Sequence, residues 1–273
     1  MKIESLKIVA FTLAWGKCYS RLKRTAFTLA EVLIVLGIIG IVASMTIPTL
    51  MNKVAKQEYL TALKKFYSTQ TDGWSRLLAD EGVQQLEDTS VFQSMEGYCT
   101  PSWANTSCKP FFDGLKKYFR FSVVTAPSYQ IYYLEGTKYK DNTGRTVLAF
   151  ADGSVMSSGY FYKSAEKADE TTSAKIAAGG GHMYSEQGYF YIDINGFKKP
   201  NTFGRDIFKF YLSGDGKLYP YDGKDYSLYT VGDLSRTWQK YSGHCGTEGS
   251  ADVSSADGDG CTARIMDEGW VMN

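Results

Sequence analysis

The sequence predicts an α+β fold in which one long N-terminal helix packs on a head built around an antiparallel β-sheet. Two patterns support this prediction. Apolar residues dominate from residue 27 to about residue 47 and then recur at helical spacing as far as about residue 82. After residue 128, short segments rich in Tyr, Phe, Val and Ile alternate with Gly-containing turns, as strands do. A helix followed by closely connected strands is typical of the α+β class.

The apolar segment is long enough to cross a membrane. About 20 apolar residues at ~1.5 Å each span a hydrocarbon core of roughly 30 Å. Residues 1–26 carry six Lys and Arg against one acid, so the N-terminus is expected in the cytoplasm and the rest outside. Three interpretations fit this composition: a signal peptide cut after the apolar segment, a permanent anchor, or a basic leader cut before the apolar segment.

Glu31 is the one ionisable residue between Phe27 and Leu50. A carboxylate within a membrane-spanning helix costs on the order of 2.5–3.5 kcal/mol, so the first expectation is a partner charge and a function. The other interpretation is a side chain that is protonated or reaches the membrane surface.

Residues 24–67 resemble the N-terminal segment of type IV prepilins and type II secretion pseudopilins, most closely in the run FTLAEVLIVLGIIGIVASMTIPTL. The resemblance implies that a prepilin peptidase cuts between Ala26 and Phe27, removes the leader 1–26, and that the new N-terminus is then methylated. The family usually has Gly before the cut, and Ala26 is also small. The expected location is therefore the bacterial cytoplasmic (inner) membrane, as a single-pass protein with an extracytoplasmic head.

The same resemblance gives roles to Glu31 and Pro48, which match the family's acidic fifth mature residue and its proline near the end of the apolar segment. A cut before Phe27 leaves an ammonium about one helical turn from Glu31, and docking of a neighbouring subunit's ammonium on Glu31 would neutralise both charges. The implied protein is a structural subunit and not an enzyme. It would assemble through its helix with copies of itself and other pilin-like subunits, on an inner-membrane assembly platform.

The filament type stays open between a type IV pilus, a type II secretion pseudopilus and a DNA-uptake filament. The alternative function is a membrane-tethered head that binds a ligand and forms no filament. The predicted organisation is a leader (1–26), a long helix (27–82) with a transmembrane half (27–47), and one globular head (83–273).

Charge and side-chain chemistry exclude other classes of function. Without the leader, the chain keeps 24 Lys and Arg against 28 Asp and Glu, so no nucleic-acid surface is predicted. The two histidines lie in no recognisable nucleophile context, and no Gly-rich phosphate loop is present.

Four cysteines, Cys99, Cys108, Cys245 and Cys261, remain after Cys18 is removed with the leader. Four cysteines allow three connectivities, and the sequence does not choose among them. Each close pair encloses a polar, turn-rich segment, so we expect local pairing. Closing a 15-residue loop stabilises a fold by about 3 kcal/mol in the chain-entropy model. The alternative is a set of reduced thiols in the core.

The head pattern predicts five strands, at 129–134, 146–150, 189–194, 207–212 and 265–271. Turns are predicted at Asp152-Gly153, Gly179-Gly180-Gly181, Asn195-Gly196 and Gly214-Asp215-Gly216. A short helix is expected at 111–119. The 20 tyrosines are interpreted as half-buried strand residues, with a carbohydrate-binding face as the alternative.

Residues 193–206 concentrate the oxygen-bearing side chains that Ca²⁺ prefers. The candidate ligands are Asp193, Asn195, Asn201 and Asp206. Three cations in the same segment, and the lack of the closing Glu of an EF-hand, oppose this interpretation. A tight strand connection with Asn-Gly and Asx turns would need the same residues. The resemblance adds weight to calcium as the candidate cofactor, because pseudopilin heads often bind it in a C-terminal loop.

Overall fold

The computed structural model describes residues 28–166, 186–221, 245, 258 and 260–272. A long helix, α1 (Leu29–Glu81), is followed by an antiparallel sheet, so the predicted α+β class is confirmed. The chain divides into two compact units, residues 1–50 and residues 51–273. The second is called the head unit below.

The part of α1 in the first unit is exposed on all sides. Its large apolar side chains, from Leu29 to Leu50, are between 45% and 81% exposed. By length and composition α1 can cross a membrane. The helix continues through Pro48, and just before it the Thr46 hydroxyl donates to the Val42 carbonyl at 3.0 Å. So large an apolar surface is unfavourable in water and needs a lipid or protein cover.

The part of α1 in the head unit is amphipathic, as its sequence predicts. Its buried residues recur every three or four positions: Leu60, Leu63, Phe66, Gln70, Gly73, Trp74 and Leu77. The Phe66 ring lies about 6 Å, centroid to centroid, from the rings of Phe190 and Phe210 on the sheet. A side chain at Gly73 would collide with the Phe119 ring, whose nearest atom is 2.1 Å from the place of a Cβ. Close packing of α1 against Phe119, which lies just before the first residue of the strand Phe121–Thr125, therefore requires glycine there.

The sheet contains seven of the nine described strands. These are β1 (Tyr98–Cys99), β2 (Phe121–Thr125), β3 (Gln130–Tyr132), β4 (Lys138–Asp141), β5 (Thr146–Phe150), β6 (Val155–Glu166), β7 (Glu186–Asp193), β8 (Ile207–Ser213) and β9 (Leu218–Pro220). Their order is β2-β5-β6-β7-β8-β9, with β1 also paired to β6, and β3 and β4 form a separate pair. All these pairings are antiparallel.

Alternation along β6, β7 and β8 buries apolar residues on both faces of the sheet. Phe190 and Phe210 belong to the larger core beneath α1. Val155 and Ile207 belong to a second cluster on the other face, together with Tyr129. The second cluster supports the connection between β7 and β8, where the candidate ligands lie.

Short elements link α1 to the sheet. They are two 3₁₀ turns (Leu86–Asp88 and Pro101–Trp103) and the helices α2 (Ser90–Gln93) and α3 (Lys109–Leu115). The disulfides are Cys99–Cys108 and Cys245–Cys261, the local pairing expected from the sequence. The helix predicted at 111–119 is present as α3, shifted by a few residues.

Four predicted strands are present as β3, β5, β7 and β8, and three predicted turns lie where the sequence places them. The turn predicted at 179–181 lies outside the described residues. The prediction of a strand at 265–271 is wrong, because the chain forms a helix, α4 (Cys261–Asp267), in this region. Arg264 and Glu268 form an ion pair at 2.8 Å across one turn of chain. Seven residues are too few to separate a period of 2 from a period of 3.6.

Candidate functional site

Hydrogen bonds between Thr28 and Glu31 close the N-terminus of α1. The Glu31 Oε2 atom accepts from the Thr28 backbone N–H at 2.8 Å and from the Thr28 hydroxyl at 2.9 Å. In return, the Thr28 Oγ1 atom accepts from the Glu31 N–H at 3.2 Å. This reciprocal arrangement is a capping box, which satisfies donors that the first turn leaves without intrahelical partners. Glu31 therefore has a structural role within its own chain.

The other carboxylate oxygen of Glu31, Oε1, accepts no hydrogen bond from the described residues. The side chain is exposed, so this oxygen is accessible to a group from outside the chain. Ala26 and Phe27 lie outside the described residues, and cleavage between them stays a prediction. Pro48 lies inside α1.

The Asp206 carboxylate accepts hydrogen bonds from other residues of the connection between β7 and β8. Its Oδ1 atom accepts from the Thr202 N–H at 2.6 Å, and its Oδ2 atom accepts from the Asn201 N–H at 2.8 Å. The Asn195 side-chain amide donates to Oδ2 at 3.1 Å. The side chain of Asp206 is fully buried. Three of the four candidate ligands thus meet in one hydrogen-bonded cluster.

Asp193, the last residue of β7, joins this cluster from the sheet. Its Oδ2 atom accepts from the Tyr129 hydroxyl at 2.7 Å, and its Oδ1 atom accepts from the Asn195 N–H at 3.2 Å. The Asn195 amide also lies 3.5 Å from the Tyr59 hydroxyl of α1. These contacts fasten the connection both to the second apolar cluster and to the helix.

Burial raises the pKa of both carboxyl groups. The pKa of Asp206 rises to about 6, because burial outweighs the N–H donors of Thr202 and Asn201, which favour the charged form. The pKa of Asp193 is raised well above its usual range, first by burial and then by the charge of Asp206. Ionising both groups is therefore unfavourable.

Some features of this geometry favour calcium binding and others oppose it. The Oδ1 atoms of Asn195 and Asn201 are buried and take no hydrogen bond in the described structure, which favours a ligand. Both oxygens of Asp206, however, already accept N–H donors, and donors repel a cation. Among the described residues no group of three or more His, Cys, Asp or Glu is placed to hold a metal. The arrangement fits a hydrogen-bonded Asx connection better, and calcium binding stays a prediction.

We expect the Asp206 carboxyl to make stability fall as the pH rises. Its folded-state pKa of about 6 lies above the unfolded value of roughly 3.9. Its contribution is therefore fully present below about pH 4 and is lost as the pH rises through about 6. The difference corresponds to about 3 kcal/mol. Urea unfolding measures the free energy of unfolding at pH 4 and pH 7. From pH 4 to pH 7, the wild-type chain should lose about 3 kcal/mol more than an Asp206→Asn variant. An equal change in both chains would contradict this assignment.

Three residues complete these sites that were not predicted from the sequence. Thr28 could have been found, since Thr-x-x-Glu directly before an apolar run is the signature of a capping box. Tyr129 and Tyr59 could not, because they lie 64 and 136 residues from their partners in the chain.

The long helix, which is apolar and long enough to cross a membrane, and the antiparallel head define an α+β protein. Its distinctive sequence motif lies at the N-terminal end of the helix. Residues 21–47 match the family model of the prokaryotic N-terminal methylation motif, the prepilin-type cleavage and methylation segment of type IV pilins and pseudopilins. Searches of curated proteins and of solved structures found no match. The motif indicates a prepilin-like protein.

Proposed function

We propose that this chain is a structural subunit, processed at the Ala26–Phe27 bond and polymerised through α1 into a type IV pilus or a type II secretion pseudopilus. The methylation motif at residues 21–47 carries the proposal. Its partners are a prepilin peptidase, copies of itself and other pilin-like subunits, and an inner-membrane assembly platform. The chain is a substrate of the peptidase and not itself an enzyme.

The apolar part of α1 supports this function through its exposure. Before assembly, lipid covers the side chains from Leu29 to Leu50. In the filament, the same surface of neighbouring subunits replaces the lipid. Gly37 and Gly40 have no heavy atom within 4 Å of the place of a Cβ, which leaves room for a neighbouring helix to approach closely.

Glu31 gives the assembly its register. Its Oε2 atom caps its own helix, while Oε1 accepts no hydrogen bond from a described residue and is available to the Phe27 ammonium of a neighbour. Pairing the two charges removes the cost of placing each of them alone in an apolar environment. A subunit out of register would leave both charges unpaired.

Mass spectrometry of the mature protein from membranes of its native host tests the processing step. We expect a chain that begins at methylated Phe27, because the leader is basic and the residue before the bond is small. A strain without prepilin peptidase is the control, and there the chain should keep residues 1–26. An uncut chain in the wild-type strain, or one that begins after Ala43, would exclude a filament subunit in favour of a tethered or secreted head.

A further inference from the structure

A cleft of about 480 Å³ opens in the head unit beside the Cys245–Cys261 disulfide. One wall is the start of the head part of α1, and another is α4 with the segment that follows it. The larger aliphatic side chains of its lining are Leu134, Pro200, Ile265, Val271 and Met272. The volume lies within the range of about 300–1,000 Å³ that is typical of ligand sites, so the cleft can receive large side chains.

Lys56 and Arg205 give this cleft a cationic rim. Neither side chain forms an ion pair with any residue in the described ranges. Arg264 also lines the cleft, but it is neutralised by Glu268 at 2.8 Å. Lys53, one turn before Lys56 on α1, is exposed and adds to the positive charge. The cationic cleft therefore suits a partner that presents acids beside large apolar groups.

The chain carries a surface of this kind itself. The rings of Tyr98 and Trp103 lie 5.1 Å apart and are 42% and 40% exposed. The Cys99–Cys108 disulfide and a hydrogen bond from the Cys108 N–H to the Trp103 carbonyl hold the two rings in place. Such rigid, exposed aromatic residues are typical anchors of protein interfaces.

Acids accompany these rings. Asp88 and Tyr98 line one open depression of the surface. Glu96 lies two residues before Tyr98 in the sequence. Both acids are exposed and form no ion pair within the described structure, although Lys163 lines the same depression. Asp88, Glu96, Tyr98 and Trp103 are together called the acidic aromatic edge.

The cleft and the edge lie at opposite ends of the head part of α1. Lys56 is near its start and Glu81 is its last residue, and 25 residues of helix at 1.5 Å each span about 37 Å. The Glu81 carboxylate accepts from the Ser90 N–H at 2.5 Å and from its hydroxyl at 2.8 Å, which ties the segment around Asp88 to the end of α1.

We propose that the acidic aromatic edge of one copy docks in the cationic cleft of a second copy. The proposal rests on the filament function proposed above, and it assigns the contact between heads. Opposite charges meet at the rim, and the aromatic rings enter the apolar part of the cleft. Because the two surfaces differ, the interface is heterologous, and such a contact repeats from subunit to subunit. The filament function proposed above requires this repeat to stay open and not to close into a ring.

Photocrosslinking in the full-length chain tests this contact in cells that contain the assembly machinery. A photoreactive phenylalanine replaces Trp103, and the crosslinked peptides are mapped by mass spectrometry. We expect adducts to residues 52–59, 200–205 or 264–272 of a second copy. Arg205→Glu and Asp88→Arg, each alone, should lower the adduct about ten-fold, as close interfacial charge pairs do. The double variant exchanges the two charges and should restore the adduct.

The outcomes separate this contact from the filament itself. A chain that begins at Phe27 is correctly processed. If its crosslinks go to other residues, to lipid or to another protein, or if no adduct forms, the head-to-head contact is wrong. The proposed filament function would still stand. If the double variant does not restore the adduct, the head-to-head contact is also wrong. Misfolding would not explain that result, because both substitutions are at exposed positions that tolerate change. A chain that is not cut at Phe27 would overturn the filament function and this contact with it.

Discussion

Replacing Trp74 with alanine is expected to destabilise the head unit by about 3–5 kcal/mol, the cost of truncating a large buried aromatic residue. Trp74 is 1% exposed and lies on the face of α1 that packs against the sheet. Its ring is 4.6 Å from that of Phe119 and 6.2 Å from those of Phe92 and Phe161. The substitution therefore opens a cavity where α1, the short helices and the sheet meet. Urea unfolding of the full chain in detergent, followed by circular dichroism, measures the change.

Trp74→Phe is the matched control for this experiment. The Trp74 Nε1 atom is buried and has no hydrogen-bond partner in the described structure. Phenylalanine keeps most of the ring contacts and removes this unsatisfied donor, which offsets part of the lost burial. We expect the Phe variant to lose much less stability than the Ala variant. Equal losses of stability in the two variants would contradict ring packing as the cause, and a loss below about 1 kcal/mol for the Ala variant would contradict the central place of this ring.

The elements with long, regular patterns could be predicted from the sequence. α1 ends at Glu81, one residue before the predicted end at about residue 82. The helical spacing of apolar residues persists to that point, and Gly82 follows at a φ of 66°. β5 has the predicted bounds, since its five residues are followed at once by an Asp-Gly turn. In both cases the local signal and the tertiary environment agree.

Tertiary contacts determine two elements that were not predicted correctly from the sequence, β6 and α4. β6 is the longest described strand, but two serines, a glycine and a register shift between Met156 and Ser158 interrupt its alternation. α4 was predicted as a strand, and its position is fixed by distant contacts, such as the bond from the Lys209 N–H to the Thr262 hydroxyl at 3.1 Å. The candidate ligands were found by composition, whereas their hydrogen-bond donors became apparent only in the fold.

Replacing Glu31 with glutamine is expected to leave α1 and its processing intact but to lower filament assembly at least ten-fold. Glutamine can still accept from Thr28 in a capping box, so the start of the helix is retained. It has no charge to pair with the Phe27 ammonium of a neighbour. Leaving one partner of an ion pair alone in an apolar environment costs about 3–5 kcal/mol, which is more than a ten-fold effect. The readouts are the N-terminus of the membrane-bound chain and the yield of sheared or secreted filaments.

Thr28→Ala separates the two roles of Glu31. This variant loses the hydroxyl that completes the capping box, at a cost of about 1 kcal/mol to the first turn, but keeps the charge of Glu31. If the charge sets the register, Thr28→Ala assembles nearly as well as the wild type while Glu31→Gln does not. If capping is the only role, the order is reversed. Normal assembly of Glu31→Gln from a correctly processed chain would therefore assign Glu31 to its own helix and leave the register of the subunits to the apolar contacts alone.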